Sequence, residues 1–242
     1  MSMESIESFV RLLKQSPPGD VFNPWWEADK QNDVGRNAPA IRRKQLAAYL
    51  RKRLGMVRLV VIGEALGYRG GHFSGIPMTS ERILLGKKEN AGIKPEHVFS
   101  SFNARRTSKR EQCPDGFSEP TATIVWSSLL RLGLKPEEFV LWNAFPWHSF
   151  DPRRGLLSNR MPNKSEQATG LSVLHAFLNL FPCEEIVALG NVAASQLKEL
   201  NIEFHRVRHP ASGGARLFRH QIERIVEKFN LARGLDDCAR LL

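Results

Sequence analysis

Cysteine is scarce. The chain has three in 242 residues (Cys113, Cys183 and Cys238), an odd number with no C-x-x-C spacing. That argues against a disulfide frame and a structural zinc knot, and indicates free thiols in a reducing, cytoplasmic setting. No apolar run approaches the roughly 18–20 residues of a membrane span. The start, Met1-Ser2-Met3-Glu4-Ser5, lacks the basic-then-apolar layout of a secretory signal. Repeats and low-complexity tracts are also missing. Gly63-x-x-x-Gly67 has neither the lysine nor the spacing of a phosphate-binding loop or a dinucleotide fingerprint. No carboxylate cluster suited to magnesium falls at a strand end, which disfavours a nuclease. The expectation is therefore an activity without metal or cofactor.

With 42% hydrophobic and 25% charged residues, the composition is that of an ordinary globular protein, expected to form one domain over residues 1–242. Lys+Arg number 35 against 25 Asp+Glu, a formal charge of +10 that favours a polyanionic partner. Eight of the basic residues lie between Arg36 and Arg58 with no acid among them. Leu46, Leu50 and Leu54, four apart with Tyr49 beside them, predict a helix that buries this stripe and turns its basic groups outward. Those groups either line a solvated face or bind phosphates. Before it, a helix over Ser5–Lys14 and the aromatic stretch Val21–Trp26 form an N-terminal packing segment within residues 1–35. The Trp25-Trp26 pair serves either packing or base stacking. Residues 94–120 are long and polar enough for a functional or mobile insertion. Their basic run, Arg105-Arg106-Thr107-Ser108-Lys109-Arg110, either grips phosphate or keeps the loop soluble.

From Val57 onward strands alternate with helices. Val57–Ile62, Phe139–Trp142, Glu185–Leu189 and Phe204–Val207 are predicted strands. Helices are predicted over Thr121–Leu132, Ser165–Leu180, Val192–Leu200 and Arg216–Asn230, the last burying Phe218, Ile222, Ile225, Val226 and Phe229. This predicts an α/β fold of three layers, α/β/α, around a four-stranded parallel sheet. In such sheets ligands bind outside the carboxyl ends of the strands. That rule gathers Gly63-Glu64-Ala65-Leu66-Gly67, Asn143 and His209-Pro210-Ala211-Ser212-Gly213-Gly214 into one crevice. Leu189-Gly190-Asn191 is expected to be a structural strand-to-helix join capped by Asn191.

These residues resemble the uracil-DNA glycosylase superfamily. Gly63-Glu64-Ala65-Leu66-Gly67, followed by Gly70-Gly71-His72-Phe73-Ser74-Gly75, is similar to the G-E-A-P-G motif of the iron–sulfur (family 4) branch and its downstream Phe. Asn143 closing a hydrophobic strand matches the pyrimidine-reading Asn, and His209-Pro210-Ala211-Ser212 resembles the H-P-S motif. Asn159-Arg160-Met161-Pro162 is similar to the N-R-x-P of family 4.

The resemblance implies a uracil-DNA glycosylase-like fold and hydrolysis of the N-glycosidic bond of deoxyuridine in DNA, opening base excision repair. Phe73 would stack on the flipped base, Asn143 would read its edge, and Gly63 and Ala65 would line the pocket. Glu64 would stabilise the sugar cation and hold or activate water, while His209 would donate to uracil O2. Ser212, Gly213, Gly214 and Arg216 would meet the minor groove, with Arg216 or Leu217 as the wedge. Arg105 and Arg106 would contact phosphates. The implied partner is uracil-containing DNA, bound by a monomer with no membrane and no obligate protein partner. The chain departs from the family at Leu66, where family 4 has Pro. It also departs at Ala65, where another branch places its catalytic Asp, and at Gly67, where that branch has the Tyr that excludes thymine. Three cysteines in place of four argue against an iron–sulfur cluster. A glycosylase for hypoxanthine, xanthine or mismatched thymine, and a non-catalytic binder of damaged DNA, are the alternatives.

Overall fold

The computed structural model describes residues 3–239, with side chains from 6 to 228 and at 230. Phe229 and Cys238, named above, therefore have side chains outside the described residues. The order is α1 (Met3–Leu12), β1 (Val21–Phe22), α2 (Ala38–Arg53) and β2 (Leu59–Ala65). Three short helices, α3 (Gly71–Ser74), α4 (Glu81–Leu84) and α5 (Pro95–Val98), lead to α6 (Pro120–Arg131), β3 (Phe139–Phe145) and β4 (His148–Ser149). The chain then runs through α7 (Lys164–Leu180), β5 (Glu185–Leu189), α8 (Asn191–Glu199), β6 (His205–Val207) and α9 (Ala215–Ala239).

The main sheet has the order β3-β2-β5-β6 and every pairing in it is parallel. Its registers include Gly63 opposite Asn143, Val61 opposite Val187, and Leu189 opposite Val207. Helices flank the sheet in a three-layer α/β/α fold. That is why β2 and β3 read as unbroken hydrophobic runs: Leu59–Ile62 and Phe139–Trp142 are buried throughout. Behind β3, Trp142 stacks on Phe177 of α7 at 4.6 Å and meets Phe9 of α1 edge-on at 5.2 Å. The β1–β4 ribbon pairs Phe22 with His148 and ties the N-terminal segment to the chain just after β3. Trp25 is fully buried there, its Nε1 donating to the carbonyl of Gly75 at 2.9 Å, which is the packing use.

The α2 helix corrects one expectation. It forms where predicted, but two of its basic groups point inward: Arg42 and Arg53 are both fully buried. β3 is an edge strand, and α2 covers that edge. The Leu141 N–H donates to Tyr49 Oη at 2.8 Å, and Arg53 Nε donates to the Phe139 carbonyl at 2.9 Å. Arg53 also satisfies the carbonyls of Tyr49, Val98 and His97. An uncovered edge invites pairing with another chain. Arg42 holds Asp33 through both of its terminal nitrogens, at 2.7 and 3.0 Å, in a pair sealed from solvent.

One further reading changes. Gly190 is the N-cap of α8, at φ +91°, and Asn191 is already inside the helix. The 94–120 segment is tied down: Ser108 bridges to Asp33, and the buried Glu81 carboxylate accepts the backbone N–H groups of Thr107 and Ser108 at 2.8 and 3.0 Å. Cys113 and Cys183 are free thiols. Among the described residues no helix is long and apolar enough to cross a membrane, and no cluster of His, Cys, Asp and Glu could hold a metal ion.

Breaking a buried ion pair strands a charge, whereas an exposed pair contributes little. Urea denaturation should therefore find Arg42→Ala less stable by about 3–5 kcal/mol. Removing the exposed Arg51–Glu7 pair with Arg51→Ala should cost about 1 kcal/mol or less.

Candidate active site

The connection leaving β2 runs to β3 on one side, and the connection leaving β5 runs to β6 on the other. Their carboxyl ends therefore part, which is where open α/β sheets bind ligands. A cleft of about 480 Å³ opens there, lined by Gly63, Glu64, Ala65, Leu66 and Gly67 from the end of β2, by Asn143 from β3 and by His209 after β6. Residues predicted from three separate strand ends thus share one cavity.

Glu64 crosses the gap. Its Oε1 accepts the N–H groups of Asn191 and Val192 at 3.0 and 3.3 Å, the first free donors of α8, where a carboxylate is favoured. Gly190 is fitted to this bond, since a Cβ there would lie 2.4 Å from Glu64 Oε1. The glycine turn is therefore part of the site's architecture as well as a strand-to-helix join. Asn143 is 2% exposed, and its Oδ1 is sealed from solvent with no hydrogen-bond partner. Its Nδ2 lies where a Cβ on Gly63 would come within 2.7 Å, so the amide can rest against β2 only because residue 63 is glycine.

His209 stands in a tight turn and accepts the Ala211 N–H on Nδ1 at 3.1 Å. That bond places the proton of the neutral ring on Nε2. Burial lowers the His209 pKa, Glu64 opposes the shift and Arg208 adds to it, so the ring is neutral at neutral pH. Ser212 and Gly213 are exposed in left-handed conformations, and Gly214 is buried where a Cβ would strike the His209 carbonyl at 2.1 Å. Arg216 and Leu217 follow on the exposed first turn of α9, with Leu217 50% exposed.

Phe73 stays out of the cleft. It is fully buried, stacked on Phe117 at 4.4 Å and 12° and flanked by His72. Arg106 donates to the carbonyls of Ser108, Lys109, Cys113 and Pro114, so its guanidinium is taken up within its own loop. Arg105 beside it is exposed.

Sequence reasoning missed Met78, Arg69 and Glu119, all of which line the cleft. Met78 is a buried, non-glycine residue at φ +47°, held by a bond from Trp126 Nε1 to its carbonyl at 3.2 Å. Nothing local in Gly75-Ile76-Pro77-Met78 announces that. Asn159, from the N-R-x-P echo, accepts the Tyr68 N–H at 3.0 Å and so braces the loop after β2. Arg160 also lines the cleft, but its guanidinium grips Glu166 through two bonds of 2.7 and 2.6 Å and so anchors the segment.

The family model described as the uracil DNA glycosylase superfamily matches residues 54–230. The chain belongs to that superfamily. Membership makes it a DNA glycosylase, a hydrolase of DNA repair whose substrate is DNA. A comparison with curated proteins finds no match.

Two outcomes follow for this glycosylase. Nitrogen-15 NMR of the histidines should show His209 at pH 7 as the Nε2–H tautomer, titrating below the usual value near 6.5; an Nδ1–H ring would contradict the geometry. Gly63→Ala should keep the fold but lower base excision by at least about tenfold, because a displacement of even 1 Å at reacting groups is costly. Unchanged excision would show that the Asn143 amide does not depend on that contact.

Proposed function

We propose that the base removed is uracil. The observation that carries this is Asn143, whose sealed Oδ1 lacks a donor beside an amide nitrogen held against Gly63. An amide offers one acceptor and one donor side by side, which suits the N3–H and O4 of uracil. Cytosine presents an unprotonated N3 and an N4 amine there, and would leave buried groups unpaired at about 1–3 kcal/mol each. A nucleotide flipped out of a duplex, at a few kcal/mol, brings that edge within reach.

The neighbours fit the bond-breaking step. As the N1–C1′ bond lengthens, positive charge builds on the sugar and negative charge on the leaving uracil. His209, with its proton on Nε2, donates to O2, where that negative charge develops. Glu64 lies across from it with both helix N–H bonds on Oε1. Its carboxylate stabilises the sugar cation and takes a proton from the water that adds to C1′, while the uracil anion is protonated from solvent. Gly63 and Ala65 form the floor beneath the base.

DNA would lie over the exposed Ser212, Gly213 and Arg216, with the buried Gly214 closing the turn beneath them. The half-exposed Leu217 is the better wedge than Arg216, because an apolar side chain fills the gap in the base stack without losing hydration. Arg105 is free for phosphate; Arg106 is not placed to help. Phe73 can stack on a base only if Phe117 leaves its face.

The test is a labelled oligonucleotide with one uracil, incubated in EDTA and treated with hot alkali. Strand cleavage at the uracil is expected. Asn143→Ala and His209→Ala should each lower it about 10²–10³-fold, the usual effect of losing one such donor. Binding should weaken with salt at a log–log slope of about −0.9 per phosphate contacted. No cleavage at uracil, with release of hypoxanthine, xanthine or mismatched thymine, would move the reading to another base. No release of any base would leave a binder of damaged DNA.

A further inference from the structure

Glu119 is a cleft residue that the uracil-reading argument does not use. It precedes Pro120 at the N-cap of α6, where a carboxylate is ordinarily consumed by the free N–H groups of its own helix. Here it makes no such bond. The side chain instead turns over Gly70, so closely that a Cβ on that glycine would lie 2.0 Å from Glu119 Oε2. From there it lines the same cavity as Glu64, Asn143 and His209. Oε2 is sealed from solvent and has no hydrogen-bond partner among the described residues. A carboxyl group with an unpaired, desolvated oxygen is costly to keep unless a ligand pairs with it.

The surroundings decide which form of the group is present. The charged and titratable groups lining the cavity with it are Glu64, His209, Arg69 and Arg160. Arg160 is bound to Glu166, and the exposed Arg69 donates to Tyr68 Oη on its own loop. Glu81, on α4 packed against the same segment, is bound to Thr107 and Ser108. Among the described residues no cation therefore pairs with Glu119, and burial pushes its carboxyl up to about 7. Below neutral pH it is chiefly an uncharged acid with an O–H to give.

We propose that Glu119 enters the base pocket as a neutral carboxylic acid and donates a hydrogen bond to a carbonyl oxygen of the bound base. This rests on the reading of the cleft as a base pocket. Asn143 Oδ1 needs an N–H from the ligand and Glu119 needs a C=O, so together they select a base with adjacent imide-type N–H and C=O groups. The bond strengthens as the departing base gains negative charge, and the proton stays on Glu119. Above its pKa the group becomes a carboxylate facing a carbonyl, and both recognition and rate fall.

The experiment is the pH profile of excision from a single-stranded uracil oligonucleotide. Wild type should lose kcat/KM as pH rises through about 7. Glu119→Gln, which donates at every pH, should lack that alkaline fall. Glu119→Ala should be about 10²–10³-fold slower at pH 6 and also lack it. An alkaline fall that persists in Glu119→Gln would overturn the proposal. Carbon-13 NMR of the Glu119 carboxyl, assigned by its loss in Glu119→Gln, separates this from the choice of substrate. Free uracil should raise its titration point if the acid form donates to the base. A carboxyl that titrates near 4 and is unmoved by uracil would overturn the proposal even if uracil is excised. If wild type excises no uracil, the substrate reading fails, and a raised titration point that free uracil moves further up would still support the donor role.

Discussion

At the carboxyl end of β2, one oxygen of Glu64 accepts the first two free N–H groups of α8, reaching across the place where the sheet's connections diverge. The rest of the site is arranged around that crossing. It requires glycine at residue 190, in a left-handed conformation and without a Cβ. It fixes one end of the cleft beside His209, whose tautomer is set by the turn that follows it. The opposite wall depends on a second glycine, Gly63, which lets the Asn143 amide lie flat against its neighbouring strand.

The cleft residues Glu64, Asn143 and His209 sit at strand ends, and the groups that support those strands and loops are buried polar side chains a layer further back. Arg53 and Tyr49 close the edge of β3, the strand that carries Asn143. Arg42 and Asp33 join α2 to the segment before it, and Glu81 binds the chain that leads toward Glu119. His148 donates from Nε2 to the carbonyl of Ser158, the neighbour of Asn159, at 2.7 Å, and its bare Nδ1 accepts from His72 Nδ1 at 3.0 Å. Burial, with His72 beside it, pushes His148 down to about 3, so it packs there as a neutral ring.

Much of this was legible in the sequence, for stated reasons. Runs such as Val60-Val61-Ile62 and Val140-Leu141-Trp142 announce buried parallel strands, and the residues that end them fall at the strand tips by topology alone. Gly63, Glu64, Asn143 and His209 were found this way. What stayed hidden depends on tertiary contacts. A run of Arg and Lys reads as surface, and nothing local says that Arg42 and Arg53 turn inward to an acid and to bare carbonyls. Phe73 has the right place in a motif, but its burial comes from Phe117, 44 residues later. Glu119-Pro120 does carry a signal, Pro at the first turn of a helix; that its carboxyl declines to cap the helix is visible only in three dimensions.

The central claim is that the unpaired Oδ1 of Asn143 awaits the N3–H of uracil. The direct measurement is nitrogen-15 NMR of the Asn143 side-chain amide, titrated with free uracil and with 3-methyluracil, which lacks that N–H. The account predicts a saturable shift with uracil and none with the methylated base. Equal shifts with both, or a response to neither, would contradict it.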